Sequence, residues 1–334
     1  MPAVDSQFIW TGLAMLAVVA VLGGSYITRE KVRGNPYADA YILERGDDLP
    51  CIWLYYDTED VNSRWWADFG ARSSNVLNVP FLNLCYGTIV ASNGHAYRVE
   101  IIGGMAGVAE RLGGYSALPP KLRSGIARVG EAELNWARAA ILAKYGGLWL
   151  DPSTICLSPF GTLPEKQVVF FGTDSGQTYA GPNGTAVPSM RAVWSPVPGH
   201  PVFVNWADAA YRRLYNLNTG GAARGDAKWD YVSFAAGRAD VVVIPGAELG
   251  RNLRTGKRLQ LEDLLAAGQE GNLPFTVPAG VLYVPVPWLE LRDRRAFGWF
   301  LRMSEEQIMG SDLVVRDLLL LANNVPLEKQ FRVI

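Results

Sequence analysis

"KYGGLWLDPSTICL", Lys144 to Leu157, joins a helix end, a glycine pair, a very short apolar run and one aspartate. Two glycines after a helix supply the torsions for a left-handed cap and a tight turn. "LWL" reads as a short buried strand. Pro152 cannot donate to a β-ladder and pushes the residue before it to an extended conformation. The stretch therefore predicts Asp151 at the carboxyl end of a strand, the edge where open α/β sheets bind their ligands. A plain cap of the next turn is the competing reading, and periodicity alone does not separate the two.

On either side the pattern alternates. "CIWLYY" (Cys51 to Tyr56) is a short apolar and aromatic run bounded by Pro50 and Asp57, the signature of a buried strand. A helix is predicted from about Val79 to Asn93-Gly94. The strand "YRVEII" is stopped by Gly103-Gly104, and a shorter helix runs near Gly107 to Leu112. The helix that feeds the quoted stretch spans Gly130 to Tyr145. "VVFFG" and "DVVVIPG" add strands, and "HPVFVNWADAAYRRLYNL" adds a helix. Strands and helices alternating at this spacing predict βαβ units and an α/β fold, a Rossmann-type, mostly parallel sheet flanked by helices.

On the Gly130–Tyr145 helix, a step of about 100° per residue from Leu134 gathers Ala137, Ile141 and Tyr145 into one apolar stripe. Arg138 falls inside that stripe, and Asn135 and Glu131 fall on its edge. A buried guanidinium needs a carboxylate, a phosphate or backbone carbonyls. Snorkelling to the surface along its stem is the alternative.

Bulk composition narrows the possibilities. The 334 residues carry 31 basic and 32 acidic side chains, a net charge of -1, which argues against nucleic acid as a main partner. Three scattered cysteines (Cys51, Cys85, Cys156) make no disulfide framework or zinc cluster and suit a reducing compartment. From Ser6 to Thr28 no side chain is charged, a run long enough to cross a hydrocarbon core of about 30 Å as a helix. Arg29, Lys31 and Arg33 follow it and nothing basic precedes it. The expectation is a single-pass anchor over residues 1–28, a linker over 29–48, and a main domain over 49–334 facing the cytoplasm.

"ELNWARAAILAKYGGLWLDPS" resembles the DXD-bearing sugar-binding region of GT-A glycosyltransferases, especially the mannosyltransferase-like and capsular polysaccharide synthesis groups. Their run places an arginine three positions after an acidic residue, then L-x-x-x-G-G-x-[YW]-x-D-x-[DT]. Arg138, Leu142, Gly146, Gly147, Trp149 and Asp151 match it in register. "LPCIWLYY", with Trp53, is similar to their opening I-P-x-x-I-W strand. "NLCYGTIVASNGHAYRVEII" looks like their helix-to-strand unit, and "VPGHPVF" resembles a later helix start. The likeness runs from about Leu49 to Phe203 and is weak beyond about Gly250.

The resemblance implies a GT-A-like domain moving a hexose from a nucleotide-sugar to a glycan or lipid-linked acceptor with retention of configuration. Asp151 and Ser153 would hold a divalent cation (Mn²⁺ or Mg²⁺), which stabilises a departing diphosphate. Asn135, Arg138, Trp53 and Ser153 would border the donor, with Asp151 and Asp230 catalytic and His200 on the acceptor side. Two departures stand out. Asn135 replaces the usual aspartate, and Ser153 replaces the second carboxylate or threonine, so the motif is D-P-S. An eroded, non-catalytic sugar-binding or scaffold protein is the rival reading. His95 reads as a turn residue, and the basic loop of Arg251, Arg254, Lys257 and Arg258 as a solvated charge run.

Overall fold

The computed structural model describes residues 49–57, 79–123, 129–173, 187–217, 231–235, 238–250, 259–268, 273 and 275–323. The expected anchor and linker, Asp230 and the basic run at 251–258 lie outside the described residues. Among the described residues no helix is long and apolar enough to cross a membrane.

Strand β1 (Cys51–Tyr56) leads to α1 (Pro80–Asn93), β2 (Arg98–Gly103) and α2 (Gly104–Leu112). Then come α3 (Glu131–Tyr145), β3 (Gly147–Leu150), β4 (Thr154–Cys156), β5 (Val168–Phe171) and β6 (Ala192–Ser195). After α4 (Pro201–Leu217), α5 (Val232–Ala235), β7 (Val241–Ile244) and α6 (Leu261–Leu264), the chain forms β8 (Tyr283–Pro285). It closes with α7 (Trp288–Asp293), α8 (Glu305–Met309) and α9 (Val314–Ala322).

Six strands form one sheet in the order β2-β1-β3-β6-β5-β7. β1 runs parallel to β2 and β3, and β5 runs parallel to β7, while β6 is antiparallel to both its neighbours. The fold is thus α/β with a mostly parallel sheet flanked by helices. Every residue of β1 is buried, and the two-residue period of a strand sorts them onto opposite faces. Ile52, Leu54 and Tyr56 enter a core with Phe81, Leu82 and Ile89 of α1 and Leu318 of α9. Cys51, Trp53 and Tyr55 enter a second core with Ala137 and Ile141 of α3 and Phe203 and Trp206 of α4. Burial on both faces explains why the strand is a continuous apolar run with no polar alternation.

Two local expectations are corrected. Gly146 has φ 67° but ψ -157°, which is an extended exit and no left-handed helical cap. Packing is the reason: a Cβ on Gly146 would lie 3.1 Å from the Val197 carbonyl carbon, so the chain leaves the helix hard against the β6–α4 loop. The single apolar stripe on α3 is too narrow. α3 lies between the sheet and α4, so Asn135, Trp136, Arg138 and Ala139 are buried along with Ala137 and Ile141, while Tyr145 at its end is exposed.

Candidate functional site

β3 ends at Leu150, which pairs with Leu54 of β1. The next residue, Asp151, still donates its backbone N–H to the Arg191 carbonyl at 2.7 Å, so the β3–β6 ladder fixes its main chain. Its side chain is 27% exposed and opens onto a cavity of about 330 Å³ at the carboxyl ends of β1 and β3. Tyr55, Ser153, Arg191, Trp288 and Arg292 share that wall with Asp151.

Arg138 lies beside it. Its side chain is 2% exposed, and Nη2 meets Asp151 Oδ1 at 3.3 Å. Nη1 donates to Asn135 Oδ1 at 2.7 Å, and the guanidinium carbon stands 5.5 Å from the centre of the Trp149 ring. Asn135, Arg138, Trp149 and Asp151 thus form one layered clamp, built from a helix i,i+3 pair and the strand that follows. The buried guanidinium finds its carboxylate, and the snorkelling alternative falls. Arg138 Nε is buried without a hydrogen-bond partner among the described residues.

Burial pushes the Asp151 carboxyl above its usual value. Arg138 and Arg191 pull it back without overcoming that, and Glu131 adds to the rise. Loss of hydration thus outweighs the ion pair at this carboxylate.

Of the residues singled out from the sequence, the structure brings Asn135, Arg138, Asp151 and Ser153 together. Arg138, Asp151 and Ser153 line the cavity, and Asn135 lies behind Arg138 as its clamp. Trp53 and His200 are not among the residues that line this cavity. Trp53 is buried in the second core, its indole N–H donating to the Gly146 carbonyl at 2.8 Å, at the start of β3. His200 opens α4 after β6, the antiparallel strand, and so lies at the opposite edge of the sheet from Asp151. There His200 Nε2 stands 3.6 Å from Asp240, just ahead of β7. His95 closes the turn after α1.

Sequence reasoning missed Asp57, Arg191, Trp288 and Arg292. Asp57 follows β1 as Asp151 follows β3, and its carboxylate meets Arg292 Nη1 at 3.3 Å. That parallel was the available signal. Arg191 and Arg292 reach the cavity through tertiary contacts, which no spacing announces. Arg191 is held by buried Glu248 at 2.6 Å, and Glu248 also accepts from the Tyr283 hydroxyl at 2.9 Å.

Among the described residues no three His, Cys, Asp or Glu side chains converge as a metal cluster. Asp151 directs Oδ1 toward Arg138, and Ser153 lines the same cavity. The residues fit a divalent ion that takes its remaining oxygens from a bound ligand and water.

No protein-family model matches the chain, and no curated protein matches it either. Among solved structures, a chain described as a transferase mutant is similar over 57% of this chain and 88% of that one, at 12% identity and a TM-score of 0.30. A likeness that low carries no argument about fold or activity.

Proposed function

We propose that this chain is a glycosyltransferase that moves a hexose from a nucleotide-sugar to a glycan or lipid-linked acceptor at the cavity around Asp151. One observation carries the reading. A glycine pair and a four-residue strand deliver a single carboxylate to the carboxyl edge of a mostly parallel sheet, beside a clamped arginine and over an open cavity. The resemblance of "ELNWARAAILAKYGGLWLDPS" to GT-A sugar-binding regions supplies the chemistry. In this reading Asp151 and Ser153 hold a divalent ion, which when bound offsets the charge of the departing diphosphate. Arg138 sets the direction of Asp151, and Asn135 sets that of Arg138. Residues 1–28 anchor the domain to a membrane and so bring a lipid-linked acceptor within reach.

The test is release of free nucleotide from a panel of nucleotide-sugars by the full chain in detergent, with Mn²⁺, with Mg²⁺ and with a chelator. Turnover of one donor supports the reading, and none across the panel overturns it. A second reading, a sugar-binding protein with an eroded metal site, is favoured by the pairing of Asp151 with Arg138, which already offsets the one motif carboxylate. Saturable nucleotide-sugar binding without turnover would select it.

A further inference from the structure

His200 lies on the wrong edge of the sheet to serve a second substrate at Asp151, so that substrate must be met by other groups. The cavity has them. The same cavity is lined by a second carboxylate–guanidinium pair, Asp57 and Arg292, also 3.3 Å apart and 235 positions apart in the chain. Between β8 and Arg292, Trp288 opens α7 and is half-buried. Part of its side chain packs on the core and part lines the cavity.

The charges say what such a wall accepts. Asp57 has its own guanidinium, and Glu290 on the same wall has that of Arg294 at 2.8 Å. A bare phosphate meets carboxylates here, and a bare cation meets guanidiniums. Neither finds a wall of one sign. A sugar hydroxyl both donates and accepts, so it can donate to a carboxylate oxygen and accept from the neighbouring N–H within one ion pair. The apolar face of a pyranose ring then has the Trp288 indole to cover. Charge-paired polar groups beside an aromatic surface match a neutral polyol.

We infer that Asp57, Arg292 and Trp288 form a sugar subsite that holds a neutral pyranose of the acceptor in the cavity they share with Asp151. The subsite rests on the glycosyltransferase reading for its role but not for its existence, because sugar binding is measurable without a donor. Each member has a part. Arg292 and Asp57 read vicinal hydroxyls, and Trp288 supports the ring.

The experiment is ligand-detected NMR and tryptophan-fluorescence titration of the full chain with a panel of neutral methyl glycosides, in the absence of nucleotide. At least one glycoside should bind saturably. Arg292→Gln and Trp288→Leu should each weaken it about tenfold or more, the scale of one charge-assisted hydrogen bond or one ring contact. Inorganic pyrophosphate should not displace the glycoside. Should Arg292→Gln fail to fold by circular dichroism, Asp57→Asn, which keeps the volume and one acceptor oxygen, carries the same test with the same expected loss. The inference is overturned if no glycoside binds, if the variants bind as the parent does, or if a nucleoside monophosphate displaces the glycoside and loses affinity on Trp288→Leu, which would make the platform a nucleobase site. Failure of donor turnover with these results intact would remove the glycosyltransferase reading and leave the sugar subsite standing.

Discussion

The two edges of the sheet carry similar parts and differ in what surrounds them. At the amino edge, glycines, a helix start, a histidine and an ion pair of Arg238 with Asp240 gather around His200. At the carboxyl edge, one aspartate, a clamped arginine and a proline gather around Asp151. At the amino edge the described residues pack against one another. The Gly199 N–H donates to the Ala143 carbonyl at 2.6 Å, and the Trp53 indole closes on Gly146. At the carboxyl edge Asp57, after β1, and Asp151, after β3, line a cavity of about 330 Å³. Similar residue types therefore pack together at one edge and line a cavity at the other. Location on the sheet decides the role, and residue type does not.

The largest effect that would break this comparison is loss of the Asp151 charge. Asp151→Asn keeps the shape, so on the proposed reaction it should cut nucleotide release on the order of a hundredfold or more. Because burial raises the Asp151 carboxyl, the parent's activity should fall on its acid side at a higher pH than an ordinary carboxylate near 4 would give. A pH–rate profile checks both. A variant as active as an active parent would reduce Asp151 to a turn residue.

The second effect falls on the amino edge. Gly147 has φ +90°, and a Cβ there would lie 2.6 Å from the Cys51 carbonyl oxygen and 3.0 Å from the Trp53 indole nitrogen. Backbone cannot yield as a flexible side chain can. Gly147→Ala should cost about 3 kcal/mol or more, read as a lower denaturant midpoint or melting temperature. Gly113→Ala, at φ +103° with nothing within 4 Å of a Cβ, should cost distinctly less. Equal losses would show that torsion alone, and not close approach to β1, explains the glycine pair.

Much of the fold was legible because its signals are local. β1, α1, β3 and α3 announced themselves through apolar runs ended by glycine or proline, and they occur with bounds within a residue of those expected. β6 did not. Its four residues "AVWS" carry no period, and only pairing on both sides makes them a strand. The C-terminal helices α7 to α9 were missed for the same reason, being short or buried almost all round. At the site, the local half was readable: Arg138 and Asp151 stand thirteen positions apart, across one helix end and one short strand. The Asp57–Arg292 half joins residues 235 positions apart, a pairing with no trace in spacing.

Arg138 tests how the open edge is held. Removing one member of a buried ion pair costs more than the pair contributes, since the other is left unpaired. Asp151 is partly open to the cavity, so water offsets some of that loss. Arg138→Met should therefore destabilise by about 2 kcal/mol and move the acid limb of activity to still higher pH, because it removes the largest influence that lowers the Asp151 carboxyl. Donor affinity should fall with it, since Asp151 loses its direction. Large destabilisation with unchanged affinity and an unchanged acid limb would make Arg138 a structural brace only.

The smallest effect belongs to His200, and its sign separates the two edges. Burial lowers the imidazole pKa; Asp240 raises it and Arg238 lowers it, and the net direction is down. Nδ1 accepts the Val202 N–H at 3.4 Å, which suits the neutral ring with its proton on Nε2 toward Asp240. A group whose folded pKa is depressed contributes stability that is present above its unfolded value, about 6.5, and is lost as pH falls through the folded value. The parent's melting temperature should therefore decline as pH drops below about 6.5 more steeply than that of His200→Gln, which has no imidazole to charge. Nucleotide release near neutral pH should be the same in both, because His200 stands at the amino edge, away from the cavity at the carboxyl edge. A variant that loses turnover while keeping the parent's melting temperature would put His200 in contact with substrate, and the two edges would then share one site.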